Sequence, residues 1–593
     1  MKHGLKILSC AMALAVAVPV AASFAGCSKG DKNTFTMWLS PNSDMFQNLD
    51  QDLTKNPVIQ YVQNKFDIKF EFQVPAKNSE AEQFTVLTGS GDFPDIMDLT
   101  YYSGAAIDLV KDGVAVDLTD YIYPSSGDSY FPNYASVLDK DLSLKNTIRT
   151  LDNKYYSLAT IDDEQRSPWG GYMYRRDLIF KYATAADAEG EANPANWTSK
   201  EDVKFPSGAE APDLISDYDW MLKILKRAKD AGDINYCMSL YYPGYLENGE
   251  IISAWGVSGF WYKELENGKT KISFGANSDG FKSYLTKMNE WYKAGYIDTN
   301  FTSNTRDQFF AIDPTSYATG KVGCFYGLDT YLGDLLLDDN GVVDRNIDLR
   351  ACYMPRLTKD SEPISYYVDG RVNRNIMITT KVLDKNYDKL FEALDYLYSE
   401  EGALMCRIGL NKAQYAELKE AGITNFWDPT IQLTAEEQQI AGVTSASQKL
   451  SDIGVYKPAS NGKYGYWSGF EAKPDYELCA SAMNFWGLCA VSKFEYLTMS
   501  EARYDARYKV WNKYSNSGYI DRTIPTKLSS DDNYDYVVNY NALVDYMAQE
   551  VPKFIKGTTS IESGWSNFCK NLVLRGCNKN TGYLQSVFTT MEG

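Results

Sequence analysis

Histidine is nearly missing from this chain: 593 residues hold one, His3. That position lies in a leader-like stretch, so the body of the protein has no imidazole. Ser-His-Asp and Cys-His nucleophilic mechanisms are excluded together with the usual zinc sites. A positive surplus is missing too. Lys and Arg number 59 against 78 Asp and Glu, a formal charge of −19 that becomes −21 once Lys2 and Lys6 leave with the leader. Nucleic-acid binding and a basic membrane-docking face are excluded on that ground. There is no C-x-x-C. The eight cysteines after Cys27 (Cys237, Cys324, Cys352, Cys406, Cys479, Cys489, Cys569 and Cys577) are scattered singly, which fits neither a metal cage nor a small disulfide scaffold. An even number outside the cytoplasm permits disulfides, and buried free thiols are the other reading. Beyond the first residues no apolar run is long enough to span a bilayer, and there is neither an internal repeat nor a low-complexity tract.

What is present begins with a targeting segment. Lys2 and Lys6 precede the apolar, Ala-rich run Ile7–Ala22, and Phe-Ala-Gly-Cys follows at 24–27. The run is short for a membrane span and small residues precede Cys27, the pattern of a cleavable signal. FAGC resembles a bacterial lipobox, with Phe24 in place of the usual Leu. Residues 1–26 are expected to be removed, Cys27 to be lipidated, and 27–33 to serve as a polar tether. The protein is then exported and held by lipid on the outer face of the cell membrane.

The body is organised around Ser90–Gly104, SGDFPDIMDLTYYSG. It closes a strand–helix–strand–helix–strand run that starts at Thr34. TFTMWLS (34–40) and IKFEFQV (68–74) read as strands. Between them Asn56 and Pro57 open a helix with Val58, Tyr61, Val62 and Phe66 on one face. Ser79 and Glu82 form a capping box for the next helix, Gly89 and Gly91 end it, and Asp95–Leu99 is the third strand. Alternating elements with short loops imply an α/β fold whose mainly parallel sheet is flanked by helices. Ligands bind outside the carboxyl ends of such strands, here Ser40–Asp44 and Tyr101–Ser103.

Further along, 152–160 reads as a strand and 169–182 as a strand turning into a helix at Arg176 and Asp177. A loop rich in Ala, Glu, Asn and Pro covers 184–213. Helices follow at 217–231, capped by Ser216 with Asp219, and at 280–294. Residues 317–329 form a buried strand, 385–401 a helix, and 411–475 a less regular stretch. The last part is helical at about 499–515, 540–555 and 561–575.

Six motifs in this order carry a resemblance: the FAGC lipobox, SGDFPDIMDLTYYSG, KYYSL with YMYRRDLIFK, MNEWYKAGYID (288–298), YATGKVGCFYG (317–327) and ALDYLYSEEGALM (393–405). Together the chain resembles the family 1 extracellular solute-binding proteins, the lipoprotein component of carbohydrate ABC importers. Within that family it is similar to the long LplA-type lipoproteins and, more distantly, to the alginate-oligosaccharide binders. The resemblance implies two α/β lobes of the type II periplasmic-binding-protein kind, a ligand in the cleft, closure by hinge motion, and delivery to ABC permease subunits. Crossovers are expected near Leu158–Asp162 and Tyr366–Asn375. Lobe 1 then takes 33–160 with 370–470, and lobe 2 takes 161–369 with 471–593. A monomer without a cofactor is implied. A structural calcium is the one exception, since related proteins sometimes hold such an ion in a loop comparable to 184–213, and a solvated loop without an ion is the other reading. Asp187, Glu189 and Glu191 are the oxygen donors there, although the EF-hand pattern is missing.

A sugar ring offers an apolar C–H face and a rim of hydroxyls, and it is held by flat aromatics with a few planar polar groups. Aromatics are abundant at 14%, with 45 Tyr. Those outside regular stripes are the candidates. Trp38 and Asn42 end the first strand, and Tyr101 and Tyr102 the third. Trp169 and Arg175 lie beside the first crossover, Trp255 and Trp261 flank WGVSGFW, Tyr326 and Asp329 end the 317–329 strand, and Tyr367 and Arg371 stand at the second crossover. Each is weighed against core or inter-lobe packing, to which Trp291 and Trp565 are assigned. No catalytic residue is expected. The alternative is an exported glycoside hydrolase, which needs only two carboxylates and no His. A helical-repeat glycan adhesin is set aside because 34–100 alternates strand and helix.

Overall fold

The protein is seen in a computed structural model that describes residues 31–102, 104–303, 314–332, 346–364, 370–458, 462–473, 475–483, 485–494, 501–514, 518, 520 and 524–592. The leader, Cys27, most of the tether and Tyr367 lie outside the described residues.

The opening run folds as its residues dictate. The Asn56 side chain accepts from Ile59 N–H, Pro57 takes the first helical position, and Pro57–Phe66 buries Val58, Ile59, Tyr61 and Val62. Thr34–Trp38 pairs in parallel with Lys69–Gln73 on one side and with Ile96–Asp98 on the other. Helix Glu80–Ser90 ends at Gly91, whose φ of 76° needs glycine. The expected capping box does not form, because the Ser79 hydroxyl donates instead to the Ala76 carbonyl at 2.8 Å.

Among the described residues six strands make the first sheet, side by side in the order Leu488–Cys489, Leu158–Asp162, Val372–Ile378, Ile96–Asp98, Thr34–Trp38 and Lys69–Gln73. Four make the second: Leu349–Ala351, Gly170–Arg175, Val322–Leu328 and Tyr236–Met238. Among the described strands each sheet has one that is reversed, Val372–Ile378 in the first and Gly170–Arg175 in the second. In both cases it is the strand on which the chain arrives from the other sheet. Leu158–Asp162 runs to the carboxyl edge of the first sheet, and the short run 163–169 then feeds the amino end of Gly170–Arg175. Since that strand is reversed, its amino end lies at the carboxyl edge of its neighbours. The carboxyl edges of the two sheets are thereby brought together.

Two large apolar cores follow the sheets. The first draws on Phe35–Ile161 and Val372–Phe494, the second on Tyr172–Cys352 and Leu543–Cys577. Trp486, Cys489 and Phe494 pack in the first core, and Leu488–Cys489 pairs with Leu158–Asp162. The stretch just after 470 therefore packs with the first sheet rather than the second, because its strand completes that sheet's edge.

Other elements depart from expectation for local reasons. Helix Ile215–Asp230 is closed by Asp217, which accepts from the backbone N–H of Ser207, Asp213 and Leu214. Asp219 instead accepts the Trp291 indole N–H at 2.6 Å and so ties this helix to Asp279–Lys293. The 385–401 stretch is two helices, Tyr387–Tyr396 and Glu400–Ile408, the second capped by Ser399. The C-terminal helices are Ser530–Lys556, Ile561–Leu574 and Cys577–Glu592. All eight cysteines after Cys27 are free thiols, and burial pushes Cys406 well above its usual range. Among the described residues no helix is long and apolar enough to cross a membrane.

Candidate ligand-binding site

A cavity of about 600 Å³ opens past the carboxyl end of Ile96–Asp98 in the first sheet, within the usual range for ligand pockets. Three parts of the first body wall it: the turn after Ile96–Asp98, the segment before Leu158–Asp162, and the start of the reversed strand. The fourth wall is 526–529, just ahead of helix Ser530–Lys556. Lys527 ties that wall across by donating its ammonium to the Arg149 carbonyl.

Asp98 shapes the floor. One carboxylate oxygen accepts from Thr100 N–H at 2.9 Å and Thr100 hydroxyl at 2.6 Å, which turns the chain into the Leu99–Tyr101 helical turn. The other lies 3.3 Å from Arg374 Nε. Asp98 is fully buried, so Arg374 neutralises it and is itself positioned by it. Asn373 and Asn375 flank Arg374 in the lining.

Two tyrosines supply flat surface. Tyr102 stacks on Phe84 with centroids 5.3 Å apart and planes at 27°. Gly104 permits that ring to fold back, since a Cβ there would sit 2.4 Å from the Tyr102 hydroxyl oxygen. Tyr156 is held up to about 12 by burial, then by the nearby Asp152 and Asp117 carboxylates. It therefore stays an uncharged O–H, 3.5 Å from Asp152. The cavity thus offers phenol rings, hydroxyls and amides beside a neutralised arginine. Lys111, Lys527 and the aliphatic side chains of Leu99, Ile107, Ile148 and Leu528 share the lining.

Of the sequence-predicted residues, Tyr102 lines this cavity. Tyr101 sits behind it, edge-on to Trp38 at 5.9 Å. Trp38 is 2% exposed and packs with Phe84, Met97 and Met377, so it belongs to the core rather than to a platform. Strand alternation aims it into the sheet's covered face. The Asn42 side chain caps helix Ser43–Asn48. Arg371 clamps the crossing strands, donating to the Asp162 and Asp163 carbonyls at 2.9 Å each and pairing with Asp141.

A second group gathers at the carboxyl edge of the second sheet. Asp329 N–H donates to the Trp169 carbonyl at 2.9 Å, and the Asp329 carboxylate accepts from Arg503 at 3.1 Å and Arg507 at 3.4 Å. Tyr326 is buried, its ring 4.1 Å from that of Tyr241. The remaining three do not line the cavity and make packing or pairing contacts. Arg175 is locked between Asp177 and the Gly320 carbonyl. Half-buried Trp255 meets Tyr284 edge-on at 5.7 Å. Trp261 donates its indole N–H to Thr581 at 2.9 Å and lies under Tyr536 and Tyr540 of the C-terminal helices.

Asp152, Tyr156, Asn373, Arg374, Asn375 and Lys527 also line the cavity and were not among the residues singled out from the sequence. For the reversed strand a signal was present: VNRN precedes IMI, a polar start to an otherwise apolar strand. The calcium expectation does not fit. Asp187 is buried and held by Arg227 at 2.5 and 2.6 Å, with Lys223 at 3.3 Å, while Glu189 and Glu191 are exposed. The Arg227 guanidinium holds the Asp187 carboxyl far below the usual carboxylate range. Its cation is already supplied by the protein.

No protein-family model matches the chain, and no curated protein matches it in sequence. Solved structures do match in fold. One is an extracellular solute-binding protein from Bifidobacterium longum subsp. infantis, with TM-score 0.64 and 13% identity, covering 96% of this chain and 100% of that one. Another is an HMO-binding, ABC-transporter-associated solute-binding protein from Bifidobacterium longum infantis, with TM-score 0.63 and 13% identity over 95% and 99% of the two chains. A third is the ABC-transporter substrate-binding protein FusA of S. pneumoniae in complex with kestose, with TM-score 0.57 and 15% identity over 94% and 99%. Two mixed α/β bodies with facing carboxyl edges, matched over nearly the whole length of such proteins, give this chain the two-lobed fold of extracellular solute-binding proteins.

Proposed function

We propose that this protein captures an oligosaccharide at the cavity beside Tyr102, Tyr156, Asn373 and Arg374 and delivers it to an ABC-transporter permease. The observation that carries the reading is the cavity itself. It sets two tyrosines and several polar side chains among aliphatic ones such as Leu99, Ile107, Ile148 and Leu528, lies past the carboxyl end of Ile96–Asp98, and is walled by the first body and by residues 526–529. Two of the similar structures are named for sugar ligands, HMO in one and kestose in the other. In this reading lobe 1 is the body around the first core and lobe 2 the body around the second. They close about the neighbouring strands Leu158–Asp162 and Val372–Ile378. Ligand favours closure only by its preference for the closed state. The chain acts as a monomer on the outer face of the cell membrane, anchored through lipidated Cys27 after removal of 1–26.

No covalent step is assigned. The alternative, a glycoside hydrolase, needs a pair of carboxylates flanking the scissile bond. Among the described lining residues Asp152 is the one carboxylate. The test is a thermal-shift screen of the mature chain against neutral and acidic oligosaccharides, with the sugar recovered and analysed afterwards. A ligand at 100 times its Kd adds about 2.7 kcal/mol. A rise in Tm with the sugar intact is expected. A rise with the sugar cleaved supports the hydrolase, and no rise with any sugar overturns the carbohydrate reading. Labelled-lipid incorporation that disappears in Cys27→Ala tests the anchor.

A further inference from the structure

The lining of the cavity divides by element. The reversed strand brings polar side chains, Asn373, Arg374 and Asn375. The other segments bring branched aliphatic ones. Leu99 comes from the turn after Ile96–Asp98, Ile107 from helix Ala106–Lys111, and Ile148 and Leu151 from the end of helix Leu142–Ile148 and the residues after it. Leu528 comes from the second body. Leu151 packs against the apolar cluster that holds Ile524, Leu528 and Phe588, so the two bodies together make one apolar corner of the cavity. The Lys527–Arg149 link pins that corner.

Some of these side chains have a structural reason to be apolar. Leu99, Ile148 and Leu151 each also pack against a core. Ile107 and Tyr156 do not: among the described residues the apolar cores include neither. On helix Ala106–Lys111 the core side is taken by Leu109 and Val110, which join Trp38 and Phe84. Ile107 and Lys111, one turn apart, share the opposite side and line the cavity. Sugar rings are held by flat aromatic faces and hydrogen bonds. A branched aliphatic side chain supplies neither, and no tryptophan is among the described lining residues. What such side chains reward is the removal of apolar surface from water.

We propose that the ligand is a glycoside with an apolar end. The amides and the arginine of the reversed strand take the sugar hydroxyls, and the aliphatic part of the cavity around Ile107, Ile148 and Leu528 takes an alkyl or aryl group attached to the sugar. This rests on the oligosaccharide reading and narrows it. Alkyl and aryl groups share the apolar chemistry that the cavity recognises, and the two are separated by the ligands of the test.

The test is calorimetric titration of the mature chain with maltotriose, cellotriose and lactose, each free and as its methyl, n-butyl and phenyl glycoside. Affinity is expected to rise from methyl to butyl, about fourfold for each methylene buried. A phenyl glycoside that binds tighter than the butyl one assigns an aryl end, and the reverse order assigns an alkyl end. Equal affinity for the methyl, butyl and phenyl members overturns the inference. Ile107→Asn, on an exposed helix side, should narrow the gap between methyl and butyl glycosides at unchanged Tm, and an undiminished gap overturns the placement of the apolar end. A further measurement avoids mutation: the heat-capacity change on binding should be more negative for the butyl than for the methyl glycoside, and equal values overturn the inference. If no sugar binds, free or substituted, the oligosaccharide reading itself fails. If the free sugar binds and its substituents add nothing, only the apolar end fails.

Discussion

Arg371 donates its Nε–H to the Asp162 carbonyl at 2.9 Å, while Asp162 N–H donates to the Arg371 carbonyl at 2.8 Å. The two residues stand where the chain leaves the first sheet and where it returns. Arg371 adds the Asp163 carbonyl and the Asp141 carboxylate, so one guanidinium holds both crossing strands. Arg371→Ala should cost about 1.5–3 kcal/mol, the scale of hydrogen bonds to a charged group. Arg371→Lys should recover only part, since an ammonium cannot reproduce the fork. Urea denaturation of the mature chain checks this, and unchanged stability in the alanine variant would remove Arg371 from the clamp.

Binding and stability should separate at Asn373 and Trp38. Asn373 is exposed on the cavity wall, whereas Trp38 is fully enclosed. Asn373→Ala is expected to weaken sugar binding about fivefold to tenfold, one hydrogen bond's worth, with Tm unchanged. Trp38→Ala should lose about 3–5 kcal/mol of stability through the cavity it leaves. Calorimetry and thermal melting of both variants decide the matter. The opposite pattern would return Trp38 to the binding surface.

Glu437 links stability to acid pH. Burial by itself raises its carboxyl, but the Lys457 ammonium and the backbone N–H groups of Ser468 and Thr434 outweigh that and hold it at about 2. A carboxyl depressed in the folded state stabilises above its unfolded pKa, near 4.5, and that contribution fades as pH falls from there toward 2. Glu437→Gln should therefore cost on the order of 2–3 kcal/mol at pH 7, with the gap to wild type narrowing below pH 4.5. A gap that stays constant from pH 7 to 3 contradicts the linkage.

The 184–213 loop should be indifferent to chelators. Arg227 and Lys223 already face Asp187, so EDTA is expected to leave Tm unchanged, whereas Arg227→Ala should lower it by exposing an unpaired buried carboxylate. A fall of several degrees on EDTA treatment would show that the loop takes a cation after all.

How much of this was legible depended on how far apart the partners lie in sequence. Asn56 and Pro57 announce their helix because cap and helix are neighbours. Tyr102 could be placed near the cavity wall because it follows a strand that local alternation reveals. Trp38 was misjudged because alternation tells which residues share a face but not which face a distant helix covers. Trp261 looked available because its cover, Tyr536, Tyr540 and Thr581, lies some hundreds of residues downstream. Arg374 escaped notice because its role depends on Asp98, a strand neighbour set by a long-range, antiparallel pairing. Ser216 and Asp219 suggested a cap, yet Asp217 competed better by reaching three backbone N–H groups at once.

The reversed strand also dictates an order of assembly. Val372–Ile378 sits between Ile96–Asp98 and Leu158–Asp162, so on the ribosome the first sheet waits with a gap in its middle until more than two hundred further residues have been made. The stretch from Gly170 to Ala351, by contrast, contains all four described strands of its own sheet and can begin to pair while the N-terminal strands still show unpaired edges. Non-local pairing of this kind is slow and exposes such edges to other chains. The nascent protein is therefore most vulnerable to aggregation after residue 162 and before residue 378, an interval that a folding helper or a delay in synthesis would have to cover.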